Sequence, residues 1–299
     1  MLYQISEGYC LVEISGNSCS SFLDSLSTNF SQKLCYYGCL LNGKGRFIAD
    51  FFRYKISEDL IIIEIEKTLV DEFIERVSFY DIRSSYKIRK INASIFFLTN
   101  NKIDQQFCDK ILLCRDENII IATDPRKENQ FRVILFPKIL DAEEFDINII
   151  TNQSLHNFKE YIDYHILNKI PIGSFLLRNR SIILEFGFRD INAINFKKGC
   201  YVGQELIARA VYQGAIRKSL KIVSCIDCEK TDILISNSSI PNDIFNHSDE
   251  IASYKHQIID NEDLIIGDLI ACSSGRNYGL ILAEEFNTNS TFKIVEKKF

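Results

Sequence analysis

Lys197-Lys198-Gly199-Cys200-Tyr201-Val202-Gly203-Gln204-Glu205 is the stretch of this 299-residue chain whose residue types could do chemistry. A cysteine follows one glycine and precedes another by three residues. Leu206-Ile207-Ala208 continue as helix or core formers, with Gly203, Gln204 and Glu205 in the first turn. A thiol just before a helix meets unpaired backbone N–H groups and the positive end of the helix dipole. Two lysines precede it and Arg209 follows it on the helix. Each favours thiolate over thiol, the form that attacks electrophiles and ligates metals. The glycines let the backbone bend and let something approach closely. Most free cysteines pack as small hydrophobes. Cys200, with glycine and cations beside it and no apolar residue before it, reads instead as a reactive or metal-ligating thiol.

The other nine cysteines (10, 19, 35, 39, 108, 114, 225, 228 and 272) are scattered, which in a chain without a secretory leader points to reduced thiols. Cys225-Ile226-Asp227-Cys228 has no second pair, and Cys35 and Cys39 have no histidine nearby. A structural zinc site wants four ligands, so zinc is not expected. The net charge of −5 argues against broad binding to nucleic acid or an anionic membrane. A local basic patch remains around Lys197, Lys198, Arg209, Arg217, Lys218 and Lys221. No run approaches the roughly 18 apolar residues that span a bilayer, and the first residues carry no leader pattern. A cytoplasmic protein is the expectation.

Strands and helices on both sides of Cys200 are predicted from the pattern of apolar residues. Residues 9–15 form a strand ending at Gly16, and Ser20 or Ser21 caps a helix carrying Phe22, Leu23, Leu26 and Phe30. Cys39 to Leu41 and Phe47 to Ile56 form a hairpin around Asn42-Gly43-Lys44-Gly45. Its glycines lack the spacing and Lys-Ser/Thr pair of a phosphate loop, so a turn is expected. Arg46 and Asp50, four apart, fall on one face of the second arm. Leu60 to Glu66 is a strand, and Thr68 begins a helix with Leu69, Phe73, Val77 and Tyr80 inward. Four short strands follow, at 93–99, 111–114, 118–123 and 131–136. Asp124-Pro125-Arg126 reads as a type I turn. Residues 154–169 make an amphipathic helix stopped before Pro171, with His165 at its buried edge. From Ser219 onward, strands at 220–225, 233–235, 264–270, 278–282 and 292–295, separated by polar loops, suggest a small β-barrel. Residues 236–250 read as an exposed loop.

Lys198-Gly199-Cys200-Tyr201-Val202-Gly203-Gln204-Glu205 resembles, position for position, the signature of the YgfZ-type proteins, folate-binding-like paralogues of the glycine-cleavage T-protein. Ala208-Arg209 and Gly214-Ala215-Ile216-Arg217-Lys218 resemble the branch shared by alphaproteobacteria and mitochondria. The resemblance implies an α+β fold with two intertwined lobes over residues 1–218 and a C-terminal β-barrel over 219–299. It also implies a role in iron–sulfur cluster assembly and repair. Because clusters are held by several thiolates, typically four, Cys200 would supply one ligand to a transient cluster shared with an A-type scaffold protein, for delivery to 4Fe–4S client enzymes. Tetrahydrofolate is the implied cofactor. Arg46 with Asp50 resembles the family's Gly-Arg hairpin and its partner acid, and Glu185 stands where mitochondrial relatives also carry Glu; all three are implied folate contacts.

Two departures are visible. Ile65-Glu66-Lys67-Thr68 replaces the asparagine-rich stretch that carries the aminomethyltransferase's carboxylate, so no catalytic acid is placed. Lys169-Ile170-Pro171-Ile172-Gly173 lacks one glycine and the glutamate of the relatives' loop, and their pterin-anchoring acid aligns near Leu167. The alternatives are a folate-dependent one-carbon (aminomethyl) transferase, with Cys200 peripheral or a nucleophile, and a folate-binding regulatory module.

Overall fold

A computed structural model describes residues 1–99, 118–137, 154–214, 216–224, 256–259, 264–273, 278–284 and 293–296. The expected strands at 111–114 and 233–235, the loop at 236–250 and the Cys225–Cys228 pair lie outside them. The fold is α+β. The chain divides into two compact units, each assembled from three stretches: residues 1–40, 49–161 and 191–201 in the first, residues 41–48, 162–190 and 202–299 in the second.

The first unit holds two five-stranded sheets. In one, β3 (Cys35–Leu41), β4 (Phe47–Lys55), β5 (Leu60–Glu66), β2 (Tyr9–Ser15) and β6 (Lys87–Ile91) lie in that order; in the other, β10 (Leu155–His156), β1 (Leu2–Gln4), β7 (Ser94–Thr99), β9 (Gln130–Leu135) and β8 (Ile119–Thr123). β4 is buried from Phe47 to Tyr54 and β5 from Ile61 to Glu66, which is why both read as near-continuous apolar runs rather than as alternation. β1, β6 and β10 escaped the sequence reading. β1 and β10 are two or three residues long, and β6 (Lys-Ile-Arg-Lys-Ile) is a charged edge strand, too short or too polar for a periodic signal.

Helix α1 (Cys19–Leu26) is shorter than expected. It begins after Ser18, which takes a left-handed φ of 58° and donates its N–H to the Asp59 carboxylate rather than using a serine hydroxyl as cap. Phe30 lies past the helix and is exposed. Helix α2 (Val70–Tyr80) buries Phe73 and Val77, with Asp71 and Glu72 at its positive end. Helix α3 (Phe158–Asn168) starts later than expected, because Leu155 is taken by the parallel pairing of β10 with β1. His165 is fully buried.

In the second unit, β11 (Ser219–Ser224), β14 (Tyr278–Ala283), β13 (Ile265–Cys272), β12 (His256–Ile259) and β15 (Lys293–Glu296) form one antiparallel sheet in that order. Val223, Ile258, Leu269, Ile281 and Ala283 are its core. Helix α4 (Gln204–Tyr212) belongs to the same unit, as does the hairpin tip at residues 41–48.

Candidate functional site

Cys200 lies in the first unit, exposed and unbridged. The segment that carries it is stitched to the stretch following α1 by a ladder of hydrogen bonds. Asn29 Nδ2 donates to Asn192 O (2.7 Å), Thr28 Oγ1 to Ala193 O (2.7 Å), Asn195 N to Thr28 O (3.0 Å) and Asn195 Nδ2 to Phe30 O (3.2 Å). The Asn195 carboxamide oxygen also accepts the Lys197 N–H at 2.9 Å. These local side chain–backbone bonds are the work that asparagine and threonine do outside regular elements.

Lys198 extends the ladder. Its ammonium donates to the carbonyls of Asp24 and Ser27, at the C-terminal end of α1, and sits 5.0 Å from the centre of the Tyr201 ring. Burial pushes this amine down to about 8, against the pull of the Asp24 carboxylate. Asp24 is itself buried under Arg53, at 3.1 Å, and the Tyr36 hydroxyl, at 2.8 Å. Around Gly199, by contrast, a Cβ would meet nothing within 4 Å. Four other cysteines in this unit have thiols pushed up by burial: Cys10 and Cys19 to about 11, Cys35 and Cys39 further. They pack as ordinary apolar side chains, and among the described cysteines Cys200 is the exposed one.

Gly203 plays a different part. It is the residue before α4, with φ +80°, and a Cβ there would come within 2.7 Å of Asn42 O and 2.9 Å of Gly45 Cα. What approaches closely is the chain's own Asn42–Gly45 turn, whose Gly45 also has a positive φ (+66°) and faces Leu206. Tyr201 is buried and Gln204 half-buried, whereas Glu205 is exposed and pairs with Arg209 at 2.8 Å across one helical turn.

The other site residues fall in two places. Arg46 and Glu185 are together in the second unit. Arg46 Nη1 donates to Arg180 O (2.8 Å), and Glu185 lies in the field of Lys218, Arg46 and Asp268, its carboxyl raised above the usual range mainly by burial. Asp50 belongs to the interior of the first unit. It is 6% exposed, its Oδ2 accepts the Tyr37 hydroxyl at 2.5 Å, and its Oδ1 has no partner. Burial raises it to about 6 despite that bond and the nearby Arg126 and Arg132. A carboxyl whose folded value lies above its unfolded one stabilises the fold fully below about 4 and loses that contribution as pH rises through about 6. Asp50→Asn, neutral and nearly isosteric, should therefore gain on wild type as pH rises from 4 to 7, read from urea midpoints. Parallel curves for the two proteins would refute this.

Sequence reasoning missed a buried ionic network beside Asp50. Arg132 on β9 reaches Glu64 Oε1 on β5 at 3.0 Å, bridging the two sheets of the first unit. Asp124 lies 3.6 Å from Arg132 and 2.9 Å from Arg126, and the Tyr54 hydroxyl donates to Glu64 at 2.6 Å. The Arg132 guanidinium covers the Phe52 ring at 4.0 Å. The turn Asp124-Pro125-Arg126 is thus also a buried ion pair. The available signal was a charge at an inward position of two otherwise apolar strands.

No protein-family model matches the chain. It is 25% identical over 230 residues to the mitochondrial iron–sulfur cluster assembly factor IBA57 homologue of Neurospora crassa, covering 72% of this chain and 51% of that protein. It is 28% identical over 242 residues to the tRNA-modifying protein YgfZ of Buchnera aphidicola subsp. Schizaphis graminum, covering 73% of this chain and 72% of that one. The chain spans about half the length of the mitochondrial relatives it matches. Among solved structures, the glycine cleavage system aminomethyltransferase T from Bartonella henselae superposes with a TM-score of 0.65 at 11% identity, over 99% of this chain and 84% of that one. At that identity the likeness carries the fold alone. Among the described residues, no three metal-binding side chains cluster and no helix is long and apolar enough to cross a membrane. The chain is thus similar in sequence to an iron–sulfur cluster assembly factor and to a tRNA-modifying YgfZ protein, and it shares the fold of the aminomethyltransferase.

Proposed function

We propose that the protein is an iron–sulfur cluster assembly or repair factor in which Cys200 supplies one thiolate to a cluster held jointly with a partner. The observation that carries this reading is the exposed Cys200 thiol, carried on a segment tied down by hydrogen bonds, in a chain similar to a cluster-assembly factor. One thiolate cannot hold a cluster that needs several, so the remaining ligands come from the partner. An A-type scaffold is the partner we propose, and 4Fe–4S enzymes in the cytoplasm are the clients. In functional terms we divide the chain into a folate-binding-like region, residues 1–218, and a C-terminal β-barrel region, residues 219–299.

Tetrahydrofolate is the cofactor of this proposal. Its pteridine edge presents an amidine-like row of donors, which a carboxylate accepts in pairs, and its tail carries carboxylates. Glu185, half-buried in the second unit, fits the first need, and Arg46 of the same unit fits the second. When bound, the cofactor supplies nitrogens able to carry a one-carbon unit. In our reading the protein uses it for recognition rather than for group transfer.

The test is made in cells depleted of this protein. Wild type should restore a 4Fe–4S hydratase, with a 2Fe–2S enzyme as control, and Cys200→Ala should leave that hydratase at least about tenfold lower, a loss of the size seen when a metal ligand or its support is removed. Equal rescue by a folded Cys200→Ala protein would make the cysteine structural and end the shared-ligand reading.

A further inference from the structure

We propose that Lys198 is the positioning residue for Cys200: its ammonium closes the C-terminal end of α1 and thereby fixes the segment that presents the thiol. The inference rests on the cluster-sharing reading above and names what holds the sharing group in place.

The last carbonyls of a helix have no partner within it, and the helix end carries partial negative charge. Helix α1 has no basic residue in its own last turn. The cation that serves it comes from 171 residues beyond Ser27 in the chain, two residues before Cys200. Lys198 donates to both Asp24 O and Ser27 O, one in the last turn and one just past it. A cation at this position is worth more than a surface ion pair because it is half-buried and charge-assisted.

The surroundings leave the task to few groups. The asparagine–threonine ladder ends at Asn195, whose oxygens accept the Lys197 and Lys198 N–H groups. Gly199 has open space about it, and Gly199 and Cys200 are both exposed, so no packing fixes either. Two posts remain, Lys198 on the near side and the buried ring of Tyr201 on the far side, and they lie against each other at 5.0 Å. The charged groups around the ammonium are the Asp24 carboxylate and the Arg53 guanidinium that binds it, with the Tyr36 hydroxyl completing the set. Removing the ammonium frees two carbonyls and the near post together.

The experiment compares wild type, Lys198→Met and Lys198→Arg as full-length protein. Three quantities are read: the thermal midpoint, exchange of the hydrogen-bonded amides of Asn195, Lys197 and Lys198, and transfer of a reconstituted cluster from a purified A-type scaffold. Lys198→Met should speed exchange of those three amides at least about tenfold, as a charge-assisted anchor of this kind would, with exchange in β4 and β5 unchanged. Cluster transfer should fall by a similar factor although Cys200 remains titratable. Lys198→Arg, which also donates to carbonyls, should restore both. Unchanged loop exchange in Lys198→Met overturns the proposal, and so does faster exchange throughout the unit. Faster loop exchange with undiminished transfer overturns it as well, since the thiol would then work without being held. If wild type itself transfers no cluster, the functional reading fails, while the exchange data still decide the tether.

Discussion

Arg132→Met should cost the protein about 3–5 kcal/mol of unfolding free energy, the penalty of leaving a buried charge without its partner. Arg132 is fully buried between the two sheets of the first unit, and its counter-charges Glu64 and Asp124 are buried as completely. Removing the guanidinium leaves Glu64 with the Tyr54 hydroxyl as its hydrogen-bond donor. Burial already raises the Glu64 carboxyl against the pull of Arg132, so without Arg132 it should take up a proton. The Arg132–Glu64 contact is an ion pair by distance without the angles of a good hydrogen bond, which makes it the weaker kind of buried pair. Replacing both ends by apolar groups should therefore be far milder than replacing one. Urea unfolding of Arg132→Met, Glu64→Leu and the double variant measures this. A single-variant loss below about 1 kcal/mol, within the range of an ordinary surface change, would show that the network is hydrated and contributes little.

The same network marks where the sequence stopped being readable. Strands such as 9–15 and 60–66 are legible because their residue types agree with burial on a sheet, and the structure returns those bounds unchanged. At 198–205 a cysteine among glycines and cations reads as unpacked, and the structure leaves Cys200 exposed. Arg132, Glu64, Asp124 and Arg126 are not legible as a set, since they are up to 68 residues apart in sequence and meet only through the pairing of β9 and β5 with their own sheets. Lys198 shows the same limit from the other side. Its type suggested a cation for the sulfur, whereas the structure gives its ammonium to the end of α1, a partner no local pattern announces. The two motif glycines also looked equivalent. Sequence assigned both to close approach, and the structure separates them.

That separation gives the second large effect: Gly203→Ala should be strongly damaging and Gly199→Ala should not. At Gly203 a side chain must accept φ +80°, which costs an L-residue about 1–2 kcal/mol. Its Cβ must also find room 2.7 Å from a backbone oxygen and 2.9 Å from a backbone carbon of the 42–45 turn, atoms that cannot swing aside as a side chain does. Overpacking of this kind adds about 1–3 kcal/mol, so a total near 2–4 kcal/mol is expected. The strain falls on the turn carrying Arg46 and on the first turn of α4. Gly199 has no left-handed φ and nothing within reach of a methyl group, so Gly199→Ala should stay within about 0.5 kcal/mol of wild type. In the proposed function its effect would fall on activity instead, because the methyl group would stand beside the exposed Cys200. Melting curves for the two variants, with amide exchange at 42–46 and 203–207, decide the matter. Equal stability of the two variants would mean that α4 and the hairpin turn move apart freely, and that the close packing of Gly203 on that turn contributes nothing to the fold.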